Sequence, residues 1–388
     1  MLAREKNLTD EAITGLKEKR PNNWWVESCL KETFLIRSPR CVNMPKPVAR
    51  VGVNGFGVIG KRVAEAVSNQ KDMKLIGVSD VVADYRVKMG QKKNFTIYCS
   101  IPEKLPDMKK AGIEVSGVLE DLIKKVDVMI DCTPAGLGAK NKALYDKLGV
   151  KSVFQGGEKH ELTGSSFVAQ CNYEENLNKN ATRVVSCNTT GICRTIGALQ
   201  NGLGVRKARV VVFRRGTDPW ESHKNGLINT VVPEAHIPSH QGPDAQTVLP
   251  KLDITTMAAK GPFNIGHLHF AMVQLKNNPE RKDVLKVLKN APRLAPVRTT
   301  DGVDSMNAVA EMMRDMHRTR ADMWEVAYWE DILNVTDGEA NMVYQVHNES
   351  VVVPENVDAI RALTGLESEG RRSIAKTDEA LGITNKFL

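Results

Sequence analysis

A cysteine lies at the junction between a predicted strand and a predicted helix. The strand-like run 183–185 ends in Ser186-Cys187, and the pair Thr189-Thr190 opens a helix. The Cys187 sulfur would then lie beside backbone N–H groups that have no partner within the helix, and these donors and the helix dipole favour a thiolate. This arrangement predicts a nucleophile. The alternative is an inert, buried thiol, because most free cysteines pack as small apolar side chains.

Two histidines supply a candidate base for that sulfur. His267 and His269 are two residues apart in a predicted strand, so their imidazoles point to one face while Leu268 and Phe270 point to the other. A pair of inward-facing imidazoles in an apolar strand favours proton chemistry, whereas a single one is commonly a hydrogen-bonded core histidine. No neighbouring carboxylate or cysteine completes a ligand set, so we predict that no metal is bound here.

Two adjacent arginines, Arg214-Arg215, end another predicted strand. Guanidinium groups bind phosphate through paired N–H donors, although arginines at strand ends are also common as solvated caps. Backbone N–H groups at Cys187 and Asn188 would stabilise an oxyanion. Together these groups predict thioester chemistry on an anionic aldehyde: the sulfur adds to the aldehyde, a hydride leaves to a nicotinamide, and an acceptor cleaves the thioester.

A glycine-rich turn near the start of the regular pattern predicts where that nicotinamide cofactor binds. Strand 48–54 leads into Gly55, Gly57 and Gly60, and helix 61–68 follows. In the dinucleotide fingerprint the first glycine makes the tight turn, the second admits the pyrophosphate, and the third lets the helix pack on the strand. The pyrophosphate then lies over the helix N-terminus. A glycine turn without a ligand is the alternative.

Two further positions favour contact with the dinucleotide. Asp80 follows the second predicted strand, 74–79, where a carboxylate accepts hydrogen bonds from the adenosine ribose and repels a 2′-phosphate. It therefore favours NAD over NADP, unless it only caps the next turn. Gly156 and Gly157 break strand 151–155 at the edge of the sheet where ligands bind, although two glycines also make an ordinary turn.

The elements that must position these residues fall into two patterns. In the first, helices 119–125 and 141–148 alternate with strands 126–131 and 151–155. Alternation of this kind predicts a parallel, doubly wound sheet, that is, an α/β Rossmann-type dinucleotide-binding domain over 44–186.

After residue 186 the pattern changes to long strands with alternating or β-branched residues. It predicts an α+β catalytic domain over 187–350 with a mostly antiparallel sheet, in which Asp337-Gly338 signals a hairpin. The predicted strands are 209–214, 266–275, 323–328 and 341–346, and the predicted helices are 281–289 and 305–318.

The two ends of the chain are predicted to differ in order. Segment 1–43 mixes charges with tryptophans and lacks the continuous apolar run of a secretion signal, so we predict a poorly ordered N-terminal extension. An ordered helix over 9–19 is the alternative. At the other end, helices 356–363 and 373–381 within 351–388 are predicted to pack back on the dinucleotide-binding domain.

The composition excludes several classes of protein. The 388 residues contain seven cysteines without a C-x-x-C pair, which argues against a disulfide framework and predicts a reducing compartment, the cytoplasm. No apolar run approaches the roughly 20 residues of a membrane span. The formal charge of +8 favours anionic ligands but is too dispersed to predict specific nucleic-acid binding.

Several motifs together resemble one family. From about Met44 to the C-terminus, the chain is similar to glyceraldehyde-3-phosphate dehydrogenases of the archaeal (type II) branch, and 1–43 lies outside the likeness. The motifs that carry the resemblance are VNGFGVIGKR at 53–62, FQGGEK at 154–159, VSCNTTG at 185–191, Arg214-Arg215, and VPENVDAIR at 353–361.

The resemblance implies roles for the residues around the cysteine. Cys187 resembles the nucleophile of the family, with Ser186 and Asn188 contacting the substrate. His267 corresponds to the histidine that activates the thiol and assists hydride transfer, with His269 as the second choice.

The resemblance also implies cofactor contacts. Val58, Ile59 and the Gly157 region fall where the turn meets the cofactor, and Arg215 is similar to an arginine close to the cofactor or phosphate. Asn348 stands where the branch usually has Gln, near the nicotinamide amide.

Among the remaining positions, His240-Gln241 and Asp80 depart from the usual pattern of the family. Arg214 would bind the substrate, and His240-Gln241, which matches a pair usually written His-His, would contact it too. Asp80 departs as well, because relatives in this branch often lack an acid there and accept NADP.

The predicted function is the phosphorylating oxidation of glyceraldehyde 3-phosphate and its reversal, with NAD or NADP as cofactor and inorganic phosphate as cosubstrate. Cys187 attacks the aldehyde, His267 takes the proton, and phosphate cleaves the thioester. The family implies a homotetramer. One alternative is another thioester-forming reductase, such as one acting on aspartate semialdehyde or N-acetylglutamyl phosphate. The other is a non-catalytic dinucleotide- or RNA-binding module.

Overall fold

A parallel sheet forms the first half of the computed structural model, which describes residues 48–217 and 227–388. Within these residues the sheet has eight strands in the order β4-β3-β2-β1-β5-β6-β8-β7. The predicted extension 1–43, with its alternative helix over 9–19, lies outside the described residues. The strands are β1 Ala49–Asn54, β2 Met73–Asp80, β3 Ile97–Cys99, β4 Val115–Val118, β5 Val128–Asp131, β6 Lys151–Phe154, β7 Ser166–Phe167 and β8 Ala181–Val184.

Helices connect these strands, as parallel pairing requires. They are α1 Val58–Ser68, α2 Tyr85–Lys92, α3 Leu105–Lys110, α4 Leu119–Ile123, α5 Gly138–Lys147 and α6 Ala169–Asn172, with short 3₁₀ turns at Pro102–Lys104, His160–Leu162 and Glu174–Asn176. The predicted α/β half is confirmed.

The order of strands reverses between β1 and β5, and the glycine turn lies at that point. Ligands of doubly wound sheets bind where the order reverses. Gly55 has φ +90°, and a Cβ there would lie 2.6 Å from the Cys132 carbonyl oxygen. A Cβ on Gly60 would lie 1.8 Å from the Gly55 oxygen. Only glycine fits at these two positions, and α1 begins at Val58, three residues before the predicted start.

A second, mixed sheet forms the other half. Its order within the described residues is β10-β11-β9-β12-β16-β14-β13, with β15 paired to β16. Its strands are β9 Val205–Arg215, β10 Val232–Pro233, β11 Ile254–Gly261, β12 His267–Leu275, β13 Leu294–Val297, β14 Val326–Trp329, β15 Asn334–Thr336 and β16 Glu339–Val346.

Among the strands that the structure describes, only the pairs β9–β11 and β13–β14 are parallel in this sheet, so the predicted mostly antiparallel sheet is confirmed. The hairpin between β15 and β16 turns at Asp337 and Gly338, with φ 50° and 75°. These values are those of the tight turn that Asp-Gly favours.

The helices of the second half are α7 Cys187–Gly202, α8 Gln241–Gln246, α9 Arg281–Asn290, α10 Met306–Asp315, α11 Val353–Thr364 and α12 Gly370–Leu381, with 3₁₀ turns at Thr299–Asp301 and Thr319–Ala321. The predicted helix 305–318 is too long, since α10 ends at Asp315 and His317 takes the left-handed φ of 57°. No helix among the described residues is long and apolar enough to span a membrane.

The helix α11 lies against the parallel half of the molecule, where it contacts α1, β6 and β8. Its Arg361 donates to Asp72 at 2.8 Å and to Gln70 at 2.7 Å, in the turn between α1 and β2. The helix that follows the second sheet therefore packs against the half that contains the parallel sheet.

Candidate active site

Cys187 is the first residue of α7. Ser186 caps this helix: its φ of −62° and ψ of 162° are extended, and its Oγ accepts from the Thr189 N–H at 3.3 Å. The predicted strand-to-helix junction is therefore present, because β8 ends at Val184. This geometry places the sulfur at the positive end of a helix of 16 residues.

His267 is the side chain that meets this sulfur. Its Nε2 lies 3.3 Å from Cys187 Sγ, and the ring is only 3% exposed at the first position of β12. Its Nδ1 accepts a hydrogen bond from the backbone N–H of Arg215 at 3.1 Å. Because Nδ1 uses its lone pair in this bond, we assign the proton of the neutral ring to Nε2, facing the sulfur.

The pKa values of the pair follow from burial. Burial raises the pKa of the Cys187 thiol above its ordinary value of 9.0, and the Arg215 guanidinium and the Asn188 N–H only partly oppose it. The helix N-terminus thus favours the thiolate as predicted, but desolvation outweighs it. Burial, aided by Arg215, also holds the pKa of His267 well below 6.5. Both groups are therefore neutral in this geometry near pH 7.

His269 contacts a different partner. Its Nε2 lies 2.8 Å from Asn188 Oδ1, and its ring lies 4.7 Å from that of Tyr344. The side chain is fully buried, which lowers the pKa of the imidazole to about 3. His269 is therefore suited to orient the Asn188 amide, while His267 faces the sulfur.

The predicted anion-binding residues meet at a carboxylate that the sequence did not indicate. Arg214, at the end of β9, forms an ion pair with Glu234 through Nη1 and Oε1. His240 is exposed, and its Nδ1 lies 3.7 Å from the other oxygen of Glu234. Gln241 is fully buried, and neither atom of its amide has a hydrogen-bond partner among the described residues. Arg214, Glu234 and His240 form a polar cluster at one end of the second sheet, and Gln241 is the next residue in the chain.

A second unpredicted carboxylate, Asp244 of α8, fixes the first turn of α7. It accepts from Thr189 Oγ1 at 2.8 Å and from Arg183 Nη2 at 2.5 Å. The Arg183 side chain is only 3% exposed, so this ion pair is largely shielded from water. A helix as short as α8 has no periodic pattern by which the sequence could have predicted it.

The glycine turn fits a dinucleotide. Gly57 is the N-cap of α1, no atom of residues 48–217 or 227–388 lies within 4 Å of a Cβ built on it, and the first turn of α1 contains no acidic residue. Backbone and anion can therefore approach closely there. Ile59 is partly buried against the core, and a Cβ on Gly157 would lie 3.1 Å from that of Ala135.

Asp80 binds the backbone of the turn. Its Oδ2 accepts from the Phe56 N–H at 2.6 Å, and its Oδ1 accepts from Val81 and Val82 at 2.6 and 3.1 Å. The carboxylate thus fixes the glycine turn and the end of β2. Contact with a ribose remains a prediction.

A cavity of about 260 Å³ lies beside the N-terminus of α1. Its lining includes Val58, Lys61, Arg62, Arg86 and Arg320, together with residues 347–350. The lining also contains Asp322 and Glu349, which pair with Arg62, so four cations face two carboxylates, and this net positive charge suits the phosphates of a dinucleotide.

Asn348 also lines this cavity, and its Oδ1 accepts from the Gly266 N–H at 3.1 Å. The next residue, Glu349, pairs with Arg62 at 2.6 Å, and Arg62 also pairs with Asp322 at 2.7 Å. Arg62 thereby ties α1 to the segment that carries Asn348, a link between residues 287 positions apart. Among residues 48–217 and 227–388, no three His, Cys, Asp or Glu side chains are grouped to hold a metal.

Comparison with known proteins gives matches in both halves. Residues 186–331 match the family model described as glyceraldehyde 3-phosphate dehydrogenase, C-terminal domain, and residues 49–156 match the one described as dihydrodipicolinate reductase, N-terminus. Curated glyceraldehyde-3-phosphate dehydrogenases resemble nearly the whole described chain. That of Methanobacterium bryantii is 45% identical over 335 residues, covering 86% of this chain and 99% of the relative.

The relatives from Methanothermus fervidus and Thermococcus kodakarensis are 44% and 46% identical, each over 334 residues, covering 86% of this chain and 98% of the relative. The chain belongs to the glyceraldehyde-3-phosphate dehydrogenase family. The predicted resemblance is thus confirmed, and so is the union of a Rossmann-type half with a catalytic half of this family. Membership also implies a nicotinamide dinucleotide as cofactor.

Proposed function

We propose that this chain oxidises D-glyceraldehyde 3-phosphate to 1,3-bisphosphoglycerate with inorganic phosphate, and catalyses the reverse reaction in glycolysis and gluconeogenesis. The observation that carries the proposal is the 3.3 Å contact between Cys187 Sγ and His267 Nε2 at the N-terminus of α7. The family of the chain supports it, since the relatives are named for this dehydrogenase activity.

The first step is addition of the Cys187 sulfur to the aldehyde carbon. The proton orientation at His267 departs from the prediction that this ring takes the thiol proton. Because Nδ1 accepts the Arg215 N–H, the neutral ring can only donate from Nε2. The thiol proton therefore leaves to water, and the Nε2–H stabilises first the thiolate and then the oxyanion of the thiohemiacetal.

Collapse of this oxyanion expels a hydride and leaves a Cys187 thioester. The hydride would pass to the nicotinamide ring of a bound dinucleotide. The backbone N–H groups of Cys187 and Asn188 lie beside the sulfur, and the His269 hydrogen bond is assigned to orient the Asn188 amide toward the substrate. Phosphate then attacks the thioester carbon, and Cys187 leaves as a thiolate that regains its proton from water.

The phosphate of the substrate is assigned to the polar cluster of Arg214, His240 and Gln241. Support comes from the buried, unpartnered amide of Gln241, since buried polar groups are normally hydrogen-bonded and a substrate would supply the partner. Arg215 serves the site through its backbone and its charge.

For the cofactor, we propose that Gly55, Gly57 and Gly60 admit the pyrophosphate over Val58 and Ile59, with Gly157 on the opposite side of the crevice. Asn348 is assigned to the nicotinamide amide. Asp80 favours NAD because its charge would repel a 2′-phosphate, although its backbone contacts leave fewer lone pairs for a ribose.

A homotetramer is proposed from the family and from an apolar row on the outer face of the second sheet. In register across the strands lie Met257, Val211, Phe270 and Val343, and Met257 and Phe270 are 49% and 39% exposed. Apolar side chains aligned in this way favour a subunit interface. We propose the cytoplasm as the compartment, because Cys187 must remain reduced.

A steady-state assay tests the function. Production of reduced dinucleotide is measured with glyceraldehyde 3-phosphate, with and without inorganic phosphate, using NAD and NADP in turn. Phosphate-dependent turnover that Cys187→Ser abolishes is expected. Turnover of aspartate semialdehyde instead, or dinucleotide binding without turnover of either aldehyde, would contradict the proposal.

A further inference from the structure

In the polar cluster at the end of β9, the carboxylate of Glu234 lies where an anionic ligand would bind. Glu234 lies between β10 and α8, and one of its oxygens pairs with Arg214 while the other lies 3.7 Å from His240 Nδ1. These two side chains are the ones assigned above to the substrate phosphate. A single carboxylate therefore lies where both anion-binding groups converge.

The backbone of Glu234 is held in place by β11, which positions the carboxylate beside Arg214. The Glu234 N–H donates to the Ala258 carbonyl of β11 at 2.9 Å, and its side chain is only 19% exposed. Arg214 is 27% exposed, so the ion pair is partly shielded from water and is worth more than a fully exposed pair.

One N–H donor of Arg214 is not used by Glu234. Its Nε is buried and has no hydrogen-bond partner among the described residues. A buried guanidinium N–H without an acceptor is unfavourable, so Glu234 leaves Arg214 incompletely satisfied, and an anion that exchanged for Glu234 and also accepted from Nε would be favoured. The contact with Glu234 thus neutralises the charge of Arg214 without using all of its donors.

We propose that Glu234 is an internal competitor for the substrate phosphate: it occupies the anion site between Arg214 and His240, and a phosphorylated aldehyde binds by displacing it from Arg214. This inference rests on the proposed function for the identity of the substrate. The affinity for phosphate then depends on how much more favourably Arg214 binds phosphate than it binds Glu234. This affinity is lower than it would be if Arg214 had no carboxylate partner.

The charge of Glu234 is removed in Glu234→Gln, and binding is measured apart from turnover. Titration calorimetry with glycerol 3-phosphate, which carries the phosphate but no aldehyde, is run in buffer free of phosphate and sulfate. A pair of this exposure is worth about 1 kcal/mol, so the Kd should fall about fivefold in the variant. The KM for glyceraldehyde 3-phosphate should fall in parallel.

Controls isolate the competition. Glu311→Gln removes a carboxylate paired with Arg314 on an exposed helix, so it matches the change in net charge and should leave the Kd unchanged. Arg214→Gln combined with Glu234→Gln should lose the gain. Glu234→Asp shortens the side chain by one methylene and so moves the carboxylate away from Arg214. It should give a smaller gain in affinity for glycerol 3-phosphate, and it replaces Glu234→Gln as the test if that variant does not fold.

An unchanged or raised Kd in folded Glu234→Gln would overturn the inference, since it would mean that Glu234 merely orients Arg214. A Kd that falls for inorganic phosphate but not for glycerol 3-phosphate would also overturn it and would assign the anion site to the attacking phosphate. Tighter binding of glycerol 3-phosphate without any aldehyde turnover would preserve the inference while refuting the proposed function.

Discussion

Alkylation of Cys187 as a function of pH tests the protonation states assigned to the sulfur and its imidazole. The pKa of the thiol lies above 9.0, so less than about 1% is thiolate at pH 7, and this fraction grows about tenfold per pH unit. His267 has a pKa well below 6.5 and cannot form a stable imidazolium while its Nδ1 faces the Arg215 N–H. We therefore expect the iodoacetamide rate to climb about tenfold per unit from pH 6 to 9.

The assay quenches labelling at set times and quantifies each cysteine by mass spectrometry, with Cys187→Ser to verify the assignment. Cys132 and Cys193 should react more slowly, because burial raises their pKa values well above 9.0. Arg215→Gln should slow labelling at pH 8 several-fold, since this guanidinium is the largest influence that lowers the pKa of the thiol. A rate that stays level between pH 6 and 8 would indicate a thiolate–imidazolium pair and refute the tautomer assignment.

Three further predictions concern the cofactor and stability. Glu349→Gln removes the pair with Arg62, so the KM for the dinucleotide should rise about fivefold and the free energy of unfolding should fall by about 1–3 kcal/mol, as measured by kinetics and denaturant titration. Asp80→Asn keeps one oxygen for the backbone donors but removes the charge, so the NADP/NAD ratio of kcat/KM should rise about tenfold. Burial lowers the pKa of His269 to about 3 and that of His347 to about 4, from 6.5. The unfolded chain therefore binds more protons below pH 6.5, and Tm should fall as the pH drops from 6.5 toward 4.

Each of these has a result that would contradict it. Glu311→Gln is the charge-matched control for Glu349→Gln. Equal effects in the two variants would show that the ion pair between Arg62 and Glu349 is not the cause. An unchanged cofactor ratio in Asp80→Asn would leave Asp80 as a turn-forming residue only. A Tm that is flat between pH 6.5 and 4.5 would mean that the two imidazoles are hydrated or paired in the folded protein.

The sequence predicts the parts of the site that depend on local pattern. The glycine turn, the junction at Cys187 and the shared face of His267 and His269 follow from spacing alone, because turn, cap and strand periodicity act over a few residues. Positions that depend on tertiary packing were not predictable. Cys187 and His267 are 80 residues apart in the sequence. The Arg215 backbone N–H that orients the His267 ring cannot be recognised from the sequence, because every residue other than proline has such a group.

Three carboxylates at the site were missed for a related reason. Glu234, Asp244 and Glu349 lie in loops or short helices and have roles only through partners that are distant in the sequence. Acidic residues in such segments are most often solvated, so nothing distinguishes them before the fold is known. The desolvation of Cys187, which outweighs the expected effect of the helix N-terminus on the thiol pKa, likewise depends on tertiary packing.

The alternation along β12 restricts how this family can vary in length. His267 and His269 face inward and Phe270 faces outward because successive side chains point to opposite sides. If one residue were deleted or inserted after 269, the two parts of the strand could no longer both keep their buried side chains on the inner face. Either the two imidazoles or the packed residues 271, 273 and 275 would then point outward. Natural insertions should therefore accumulate in the flanking turns, and a library of single-residue indels should be depleted throughout this strand.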